Sequence, residues 1–287
     1  MAAVIIDGKQ VAGKLKEDIQ AQISELKSKG ITPKLIALQA GENEASAVYT
    51  RQQKKNCENA GIEYELQTLP ASSGEKEIIE HIQKLNSDST VTGIILQLPL
   101  PGGADAVKIQ SEIAVEKDVE GVNPSNLGWI TYGKPRLIPC TAAAVMKLIE
   151  STGTDLYGKE AVMVGHSDIV GKPVALLLVN KFATVSICHI GTGDRGLLPD
   201  YVKKAEILVV AVGKANLVKG DWIREGAIVI DVGINRVEGK ITGDVEYGRA
   251  AEKAGWITPV PGGVGPVTNA MLIKNTVEAA KLAAAGS

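Results

Sequence analysis

Short aliphatic and β-branched runs alternate along the chain with longer amphipathic stretches. Residues 3–6, 34–38, 64–68 and 92–97 have strand length, and apolar positions recur at helical spacing near residues 10–29, 45–60, 75–85 and 104–113. This alternation predicts a mostly parallel sheet, because parallel neighbours require crossover helices. A second series follows at 161–164, 183–188, 207–212 and 227–232, with helical patterns at 170–180 and 199–204. Its strands are apolar almost without interruption, as strands covered on both faces are. Residues 268–285, rich in Ala, Leu, Lys and Glu, open after Pro266 and predict a closing helix that returns to the first domain. The expected fold is α/β with two α/β domains: residues 1–139 joined by 268–287, and residues 140–267. A cleft between two such units is the default place for a ligand.

Composition narrows the chemistry. The 287 residues include 45% hydrophobic and 22% charged positions, ordinary globular usage. With 31 Lys and Arg against 33 Asp and Glu, no excess positive charge exists to neutralise a phosphate backbone, so nucleic acid is not an expected partner. Aromatics are 3% with one Phe, so the core must come from Val, Ile, Leu and Ala. No apolar run approaches the ~20 residues of a membrane helix, and Asp7 and Lys9 interrupt any signal-like start; a cytoplasmic location is expected. Cys57, Cys140 and Cys188 lack CxxC spacing, and no histidine pair has metal-ligand spacing, so packed thiols and no metal are expected.

Several segments carry candidate chemistry. Gly165-His166-Ser167-Asp168-Ile169-Val170-Gly171 follows a strand and opens a helix, where a tight glycine turn and a helix N-terminus present N–H groups to a pyrophosphate. It departs from GxGxxG, with Ser167 at the second glycine position and the last glycine one residue late; alone, it favours an anion site over a purely structural strand-to-helix turn, without excluding the latter. A P-loop is disfavoured because the spacing to Gly171-Lys172 is one residue too long and Pro173 has no hydroxyl. The acid expected ~20 residues downstream for a ribose is absent from 183–190, leaving Asp194, or Arg195 for a 2′-phosphate. The Pro- and Gly-rich segments 97–103 and 259–268 build irregular loops that approach a flat ligand closely, or simply turn the chain. Tyr49 and Gln53 share one helix face, by themselves an ordinary solvated surface. The turn Lys117-Asp118-Val119-Glu120-Gly121 either holds a carboxylate against ligand N–H donors or caps itself.

Together these segments resemble the methylenetetrahydrofolate dehydrogenase/cyclohydrolases. The resemblance rests on Gln97-Leu98-Pro99-Leu100-Pro101, residues 117–121, Pro139-Cys140-Thr141, residues 165–171, Asp231-Val232-Gly233-Ile234-Asn235, Gly243-Asp244-Val245 and residues 259–268, in family order across nearly the whole chain. It implies a folate-binding N-terminal domain, a Rossmann-type C-terminal domain, and a homodimer joined through the nucleotide domains. The implied reaction moves a hydride from methylenetetrahydrofolate to a nicotinamide coenzyme and then hydrolyses the methenyl product to formyltetrahydrofolate. Tyr49 and Gln53 are expected beside the reacting carbon, Gln97 in support, and Glu120 on the pterin, with Leu98, Pro99, Pro261, Gly262 and Gly263 also on the folate. Thr141, Gly165, His166, Ser167, His189, Val212, Gly213, Ile234 and Thr268 are carried over as coenzyme contacts.

Three departures from the family pattern refine this expectation. Gln53 stands where relatives carry the Lys central to hydrolysis, and a neutral amide cannot relay a proton. Lys54 is no substitute, since one helical step turns a side chain by ~100°. Glu120 replaces an Asp, and His166, Ile190 and Gly191 stand where NADP-using relatives present cationic or hydroxyl partners. The coenzyme is therefore NAD(P), NADP by family default, with the local residues leaning towards NAD. The competing readings are a Rossmann dehydrogenase of another small acid, of the shikimate type, and a non-catalytic folate- or nucleotide-binding protein. The first predicts a catalytic lysine–aspartate pair that is not evident in the sequence; the second predicts no reduction of coenzyme in the presence of methylenetetrahydrofolate.

Overall fold

A computed structural model describes residues 2–42 and 44–285, without the side chains of 44–46 and 48. In chain order its named elements are β1 (Val4–Ile5), α1 (Gly8–Ser28), β2 (Lys34–Ala40), α2 (Glu44–Ala60), β3 (Glu63–Leu69), α3 (Glu75–Ser87), β4 (Gly93–Leu96), α4 (Ala106–Ser111), α5 (Pro124–Thr131) and α6 (Cys140–Glu150). There follow β5 (Glu160–Val164), α7 (Gly171–Val179), β6 (Thr184–Cys188), α8 (Ile190–Asp194), α9 (Leu198–Val202), β7 (Ile207–Val210), β8 (Ile228–Asp231), β9 (Asn235–Val237), β10 (Lys240–Thr242), α10 (Tyr247–Lys253), β11 (Trp256–Ile257) and α11 (Val264–Ala285). The fold is α/β and divides into two compact units.

One unit comprises Leu15–Cys140 and the chain from Asn269 onward. Its sheet has the order β3-β2-β4, all parallel, and Asp118 bridges to Ile94 as a further parallel neighbour. The close approach of that neighbour depends on Gly93, where a Cβ would stand 2.4 Å from Val119 Cγ1. Ile36, Leu38, Ile94 and Leu96 from the sheet pack with Ile78, Ile82 and Leu85 of α3 and Ile109 of α4, forming a core of aliphatic side chains alone. Asn275 of α11 donates from Nδ2 to the carbonyls of Val119 and Ile138, at 2.9 and 2.8 Å.

The other unit comprises the chain up to Lys14 and Thr141–Thr268. Its six strands are parallel in the order β1-β11-β8-β7-β5-β6. Strands β7 and β8 are buried along their whole length, and apart from Asp231 at the end of β8 they are apolar throughout, as strands covered on both faces are. β9 and β10 make a separate antiparallel hairpin.

Two sequence expectations change here. The run 3–6 does not open the first series: Val4 and Ile5 pair with Trp256 and Ile257 at the edge of the six-stranded sheet. Two residues carry no alternation to mark a partner, so sequence order alone misassigned them. The closing helix begins at Val264, two residues before Pro266. Proline is tolerated in a first turn, where its missing N–H would have had no helical acceptor.

Candidate functional site

Of the residues expected on folate, Gln53 and Gln97 are brought together. Gln97 follows the last residue of β4, and its N–H donates to Leu38 O at 2.8 Å, extending the ladder by one bond before the chain turns through a cis Leu98–Pro99 peptide. The Gln97 side chain is buried, and its Nε2 donates to Gln53 Oε1 at 3.2 Å. The Tyr64 hydroxyl, from β3, donates to the same oxygen at 3.2 Å. Gln53 on α2 is thus held by two donors, with its amide oxygen facing both. Burial, and secondarily the neighbouring Cys57, pushes the Tyr64 phenol well above its ordinary range, so it stays a protonated donor. Tyr49, one turn earlier on α2, is 64% exposed. Lys54 and Lys55 are exposed, and the Lys54 ammonium lies 3.8 Å from Glu58.

Of the two carboxylates in the acidic turn, one caps the turn and the other does not. Asp118 is buried and accepts from the N–H groups of Gly121 and Asn123 at 3.1 and 2.7 Å and from Asn126 Nδ2 at 2.9 Å, so it caps the turn. Lys117 is structural as well: its ammonium donates to the carbonyls of Leu85, Asn86 and Asp88 at the end of α3. Glu120 keeps one partner, Gln110 Nε2 at 3.3 Å, and is half-buried. Burial, reinforced by the negative charge of Asp118 and opposed by Gln110, pushes its carboxyl up to about 7. A carboxyl with spare acceptor capacity and a midpoint near neutrality suits gripping N–H donors of a ligand.

Pro261, Gly262 and Gly263 lie in the other unit, in a loop with a cis Val260–Pro261 peptide and Gly262 at φ 110°. The Gly8 N–H, at the start of α1, donates to Gly262 O at 3.0 Å. A Cβ on Gly8 would stand 1.7 Å from Gly263 O, so glycine is required for this approach.

On the coenzyme side, residues 165–171 form a tight turn after β5. Gly165 has φ 123°, and a Cβ there would stand 2.3 Å from Ala211 O. The donors available to an anion differ from those the sequence suggested. Ser167 Oγ accepts from the N–H groups of Val170 and Gly171 at 3.2 and 3.3 Å, Ser167 O accepts from Lys172 at 3.0 Å, and Pro173 has no N–H. The first turn of α7 is therefore capped by its own serine. The N–H groups of residues 166–169 have no partner among the described residues, and they are the donors the turn leaves free. The turn fits a dinucleotide phosphate on that ground.

His166 and His189 are exposed, with ring centroids 5.4 Å apart. His189 Nδ1 accepts from the Gly191 N–H at 3.2 Å, capping α8. Arg195 makes no ion pair among the described residues. Val212 and Gly213 follow β7, and Ile234, 63% exposed, follows β8. Thr141 lies in the first turn of α6, and the Thr268 hydroxyl donates to Val264 O at 3.2 Å within α11. Tyr64 is the participant that sequence reasoning missed. All three cysteines are buried and unbridged.

A six-stranded parallel sheet with a glycine turn after one strand, together with a second α/β unit in which Gln53 bonds Gln97, defines a two-unit α/β protein with a turn of the dinucleotide-binding kind. Sequence profiles place it further: residues 6–120 match the tetrahydrofolate dehydrogenase/cyclohydrolase catalytic domain, and residues 139–284 match the NAD(P)-binding domain of the same family. The chain belongs to the tetrahydrofolate dehydrogenase/cyclohydrolase family. It is 50% identical over 282 residues to the bifunctional protein FolD of Moorella thermoacetica, covering 98% of this chain and 100% of that one. The crystal structure of FolD methylenetetrahydrofolate dehydrogenase/cyclohydrolase from Campylobacter jejuni superposes with a TM-score of 0.94 at 44% identity, covering 98% and 99% of the two chains. The Trypanosoma brucei enzyme, solved with NADP and an inhibitor, superposes with a TM-score of 0.92 at 37% identity, covering 99% of each chain.

Proposed function

We propose that this chain oxidises methylenetetrahydrofolate to methenyltetrahydrofolate, and that its hydrolysis of the methenyl product is severely weakened. The observation that carries this reading is the side chain at position 53: a neutral amide whose oxygen accepts from both Tyr64 and Gln97 at 3.2 Å. When bound, a nicotinamide dinucleotide supplies the hydride acceptor. Oxidation produces a cation that its two flanking nitrogens stabilise, and no protein proton has to move, so orientation accounts for most of this step. Gln53 and Gln97 orient the folate, Tyr49 flanks the reacting carbon, and Glu120 grips the pterin, with Leu98, Pro99, Pro261, Gly262 and Gly263 completing the contacts. In this reading folate belongs to residues 1–139 with 268–287 and coenzyme to 140–267, with the chain up to Lys14 packed in the coenzyme unit.

Ring opening is different, because water must lose a proton and a ring nitrogen must gain one. An ammonium at position 53 would donate to Tyr64 Oη and to Gln97 Oε1 after a flip of the Gln97 amide. The amide present has the opposite polarity towards Tyr64 and no ionisable proton.

The coenzyme reading leans to NAD. The free N–H groups of residues 166–169 serve a pyrophosphate common to both coenzymes, while Ile190 and Gly191 offer a 2′-phosphate no cation or hydroxyl. Thr141, Gly165, His166, Ser167, His189, Val212, Gly213, Ile234 and Thr268 are the assigned contacts. A homodimer through this domain is supported by β6, an edge strand of the six-stranded sheet that carries Ile187 at 43% exposure. The working location assigned is the cytoplasm.

The test is methenyltetrahydrofolate hydrolysis by three proteins. Gln53→Ala should match the original chain, and Gln53→Lys should exceed both by about 100-fold or more, the usual contribution of a positioned acid–base group. A chain that already hydrolyses as fast as Gln53→Lys contradicts the proposal.

A further inference from the structure

Two buried carboxylates in the coenzyme unit bind no ligand in the reading above, yet they hold the loops that do. Asp244, fully buried in the segment after β10, accepts at Oδ2 from the N–H groups of Val212 and Gly213 at 2.7 and 2.9 Å. Its Oδ1 accepts from Asn235 Nδ2 at 2.9 Å. Asp231, the last residue of β8 and also buried, accepts from the Gly233 and Asp244 N–H groups at Oδ1, at 2.9 and 3.0 Å, and from the Val245 N–H at Oδ2, at 2.9 Å. The loop after β7, the loop after β8 and the segment 243–245 are thereby tied to one point.

The local sequence is fitted to this arrangement. A Cβ on Gly233 would stand 2.2 Å from Asp244 Cγ, and a Cβ on Gly243 would stand 2.0 Å from Asp231 Oδ2. Neither glycine has a left-handed φ, so each is needed for space and not for backbone freedom. Ile234 lies between two tethered residues: the Gly233 N–H is bound to Asp231, and the Asn235 side chain is bound to Asp244. In an open parallel sheet, ligands bind beyond the carboxyl ends of the strands, where these loops lie. The N–H groups of Val212 and Gly213 are occupied by Asp244, so a dinucleotide there meets other groups of that loop.

We propose that Asp244 is a positioning residue for the coenzyme: it fixes the loops after β7 and β8 in one arrangement and so sets dinucleotide affinity without touching the dinucleotide. Its exposure is 0%, which keeps it from direct contact, and its acceptors are met by N–H donors with no cation among them. Replacement by Asn retains size but puts an NH2 group against donors on one side or the other. Asn235 cannot fully compensate by flipping, because its Nδ2 also donates to Thr242 O at 3.2 Å. A loop released in this way must be ordered by the ligand, and that ordering cost appears as lost affinity.

This inference rests on the coenzyme-binding reading, and the experiment separates the two. Dissociation constants for NADH and NADPH are measured by fluorescence titration on the full chain and on Asp244→Asn, alongside kcat at saturating coenzyme and folate affinity. The expected result is an affinity for the preferred coenzyme weakened about 10-fold or more, with kcat within about 3-fold and folate affinity unchanged, the split expected when only a binding loop is mispositioned. If the unsubstituted chain binds neither dinucleotide, the coenzyme reading itself fails and this inference with it. If it binds one and a folded Asp244→Asn binds equally, within 2-fold, the positioning role is wrong. Should Asp244→Asn not fold, Asn235→Ala decides, since it removes one donor from Asp244 and leaves the backbone bonds: a weakening of about 3-fold or more is expected, and an unchanged dissociation constant overturns the proposal.

Discussion

The proposed chemistry turns on two single side chains, Glu120 and Gln53. Glu120 has its carboxyl pushed up to about 7 by burial, with Asp118 adding to it. In the reading proposed above, the ionised form grips the pterin, so folate KM should fall as pH rises from about 6 to 8. Glu120→Gln should raise KM and flatten that profile; a profile unchanged by the substitution contradicts the assignment. The same shift has a cost in stability. A carboxyl whose folded pKa exceeds its unfolded value favours the fold below the unfolded pKa, and loses that contribution as pH rises through the folded one. For Glu120 the window runs from 4.5 to about 7, and for Asp231, pushed up by burial, from 3.8 to about 6. Glu120→Gln should therefore be more stable than the original chain at pH 8, by at most about 3 kcal/mol, and show no advantage at pH 4, read from urea midpoints. Glu120 was legible as a candidate in a short acidic turn, and Gln53, by itself an ordinary solvated surface position, was legible as one through the family resemblance. Tyr64 was not: in the strand Glu63–Leu69 it reads as one more alternating position, and only the distance across to α2 reveals it.

Elements long enough to show a period were legible, and short ones were not. β2 and β5 match their apolar runs to within a residue or two, since burial dictates side-chain type along them, and β3, an exposed-edge strand of alternating residues, matches as closely through its period of two. β1 and β11 are two residues each, and the β9–β10 hairpin has three residues in each strand, too short for alternation to stand out from chance. The N-terminal segment shows what such a miss conceals. Pairing of Val4–Ile5 with Trp256–Ile257 brings Gly8 against the loop that carries Gly262 and Gly263. Gly8→Ala should leave the core intact but displace that loop, since a Cβ at 1.7 Å from a carbonyl oxygen cannot be accommodated in place. The expected outcome is a folate KM raised about 10-fold or more with coenzyme affinity near the original; an unchanged KM would show that the loop does not contact folate. The glycine turn after β5 was legible as a turn, but its free N–H groups were not, because only coordinates show that Ser167 accepts from those of Val170 and Gly171.

At the scale of the whole molecule, the family and the α/β class follow from motifs spread over nearly the full chain and from matches that cover it end to end. No described helix is long and apolar enough to cross a membrane. Coenzyme choice belongs at this scale, because it weighs the loop after β6 against the turn after β5. The kcat/KM for NAD should exceed that for NADP, and a large NADP preference would instead make Arg195 or His166 the phosphate partner. The central claim, that orientation without a proton relay sustains oxidation but not ring opening, is tested most directly by one time course. With methylenetetrahydrofolate and the preferred coenzyme, formation of reduced coenzyme and of the methenyl product is followed together. The account predicts that methenyltetrahydrofolate accumulates in step with reduced coenzyme and decays no faster than in a control without protein. Reduced coenzyme appearing while the methenyl product stays at a low steady level, drained to formyltetrahydrofolate as it forms, would contradict it.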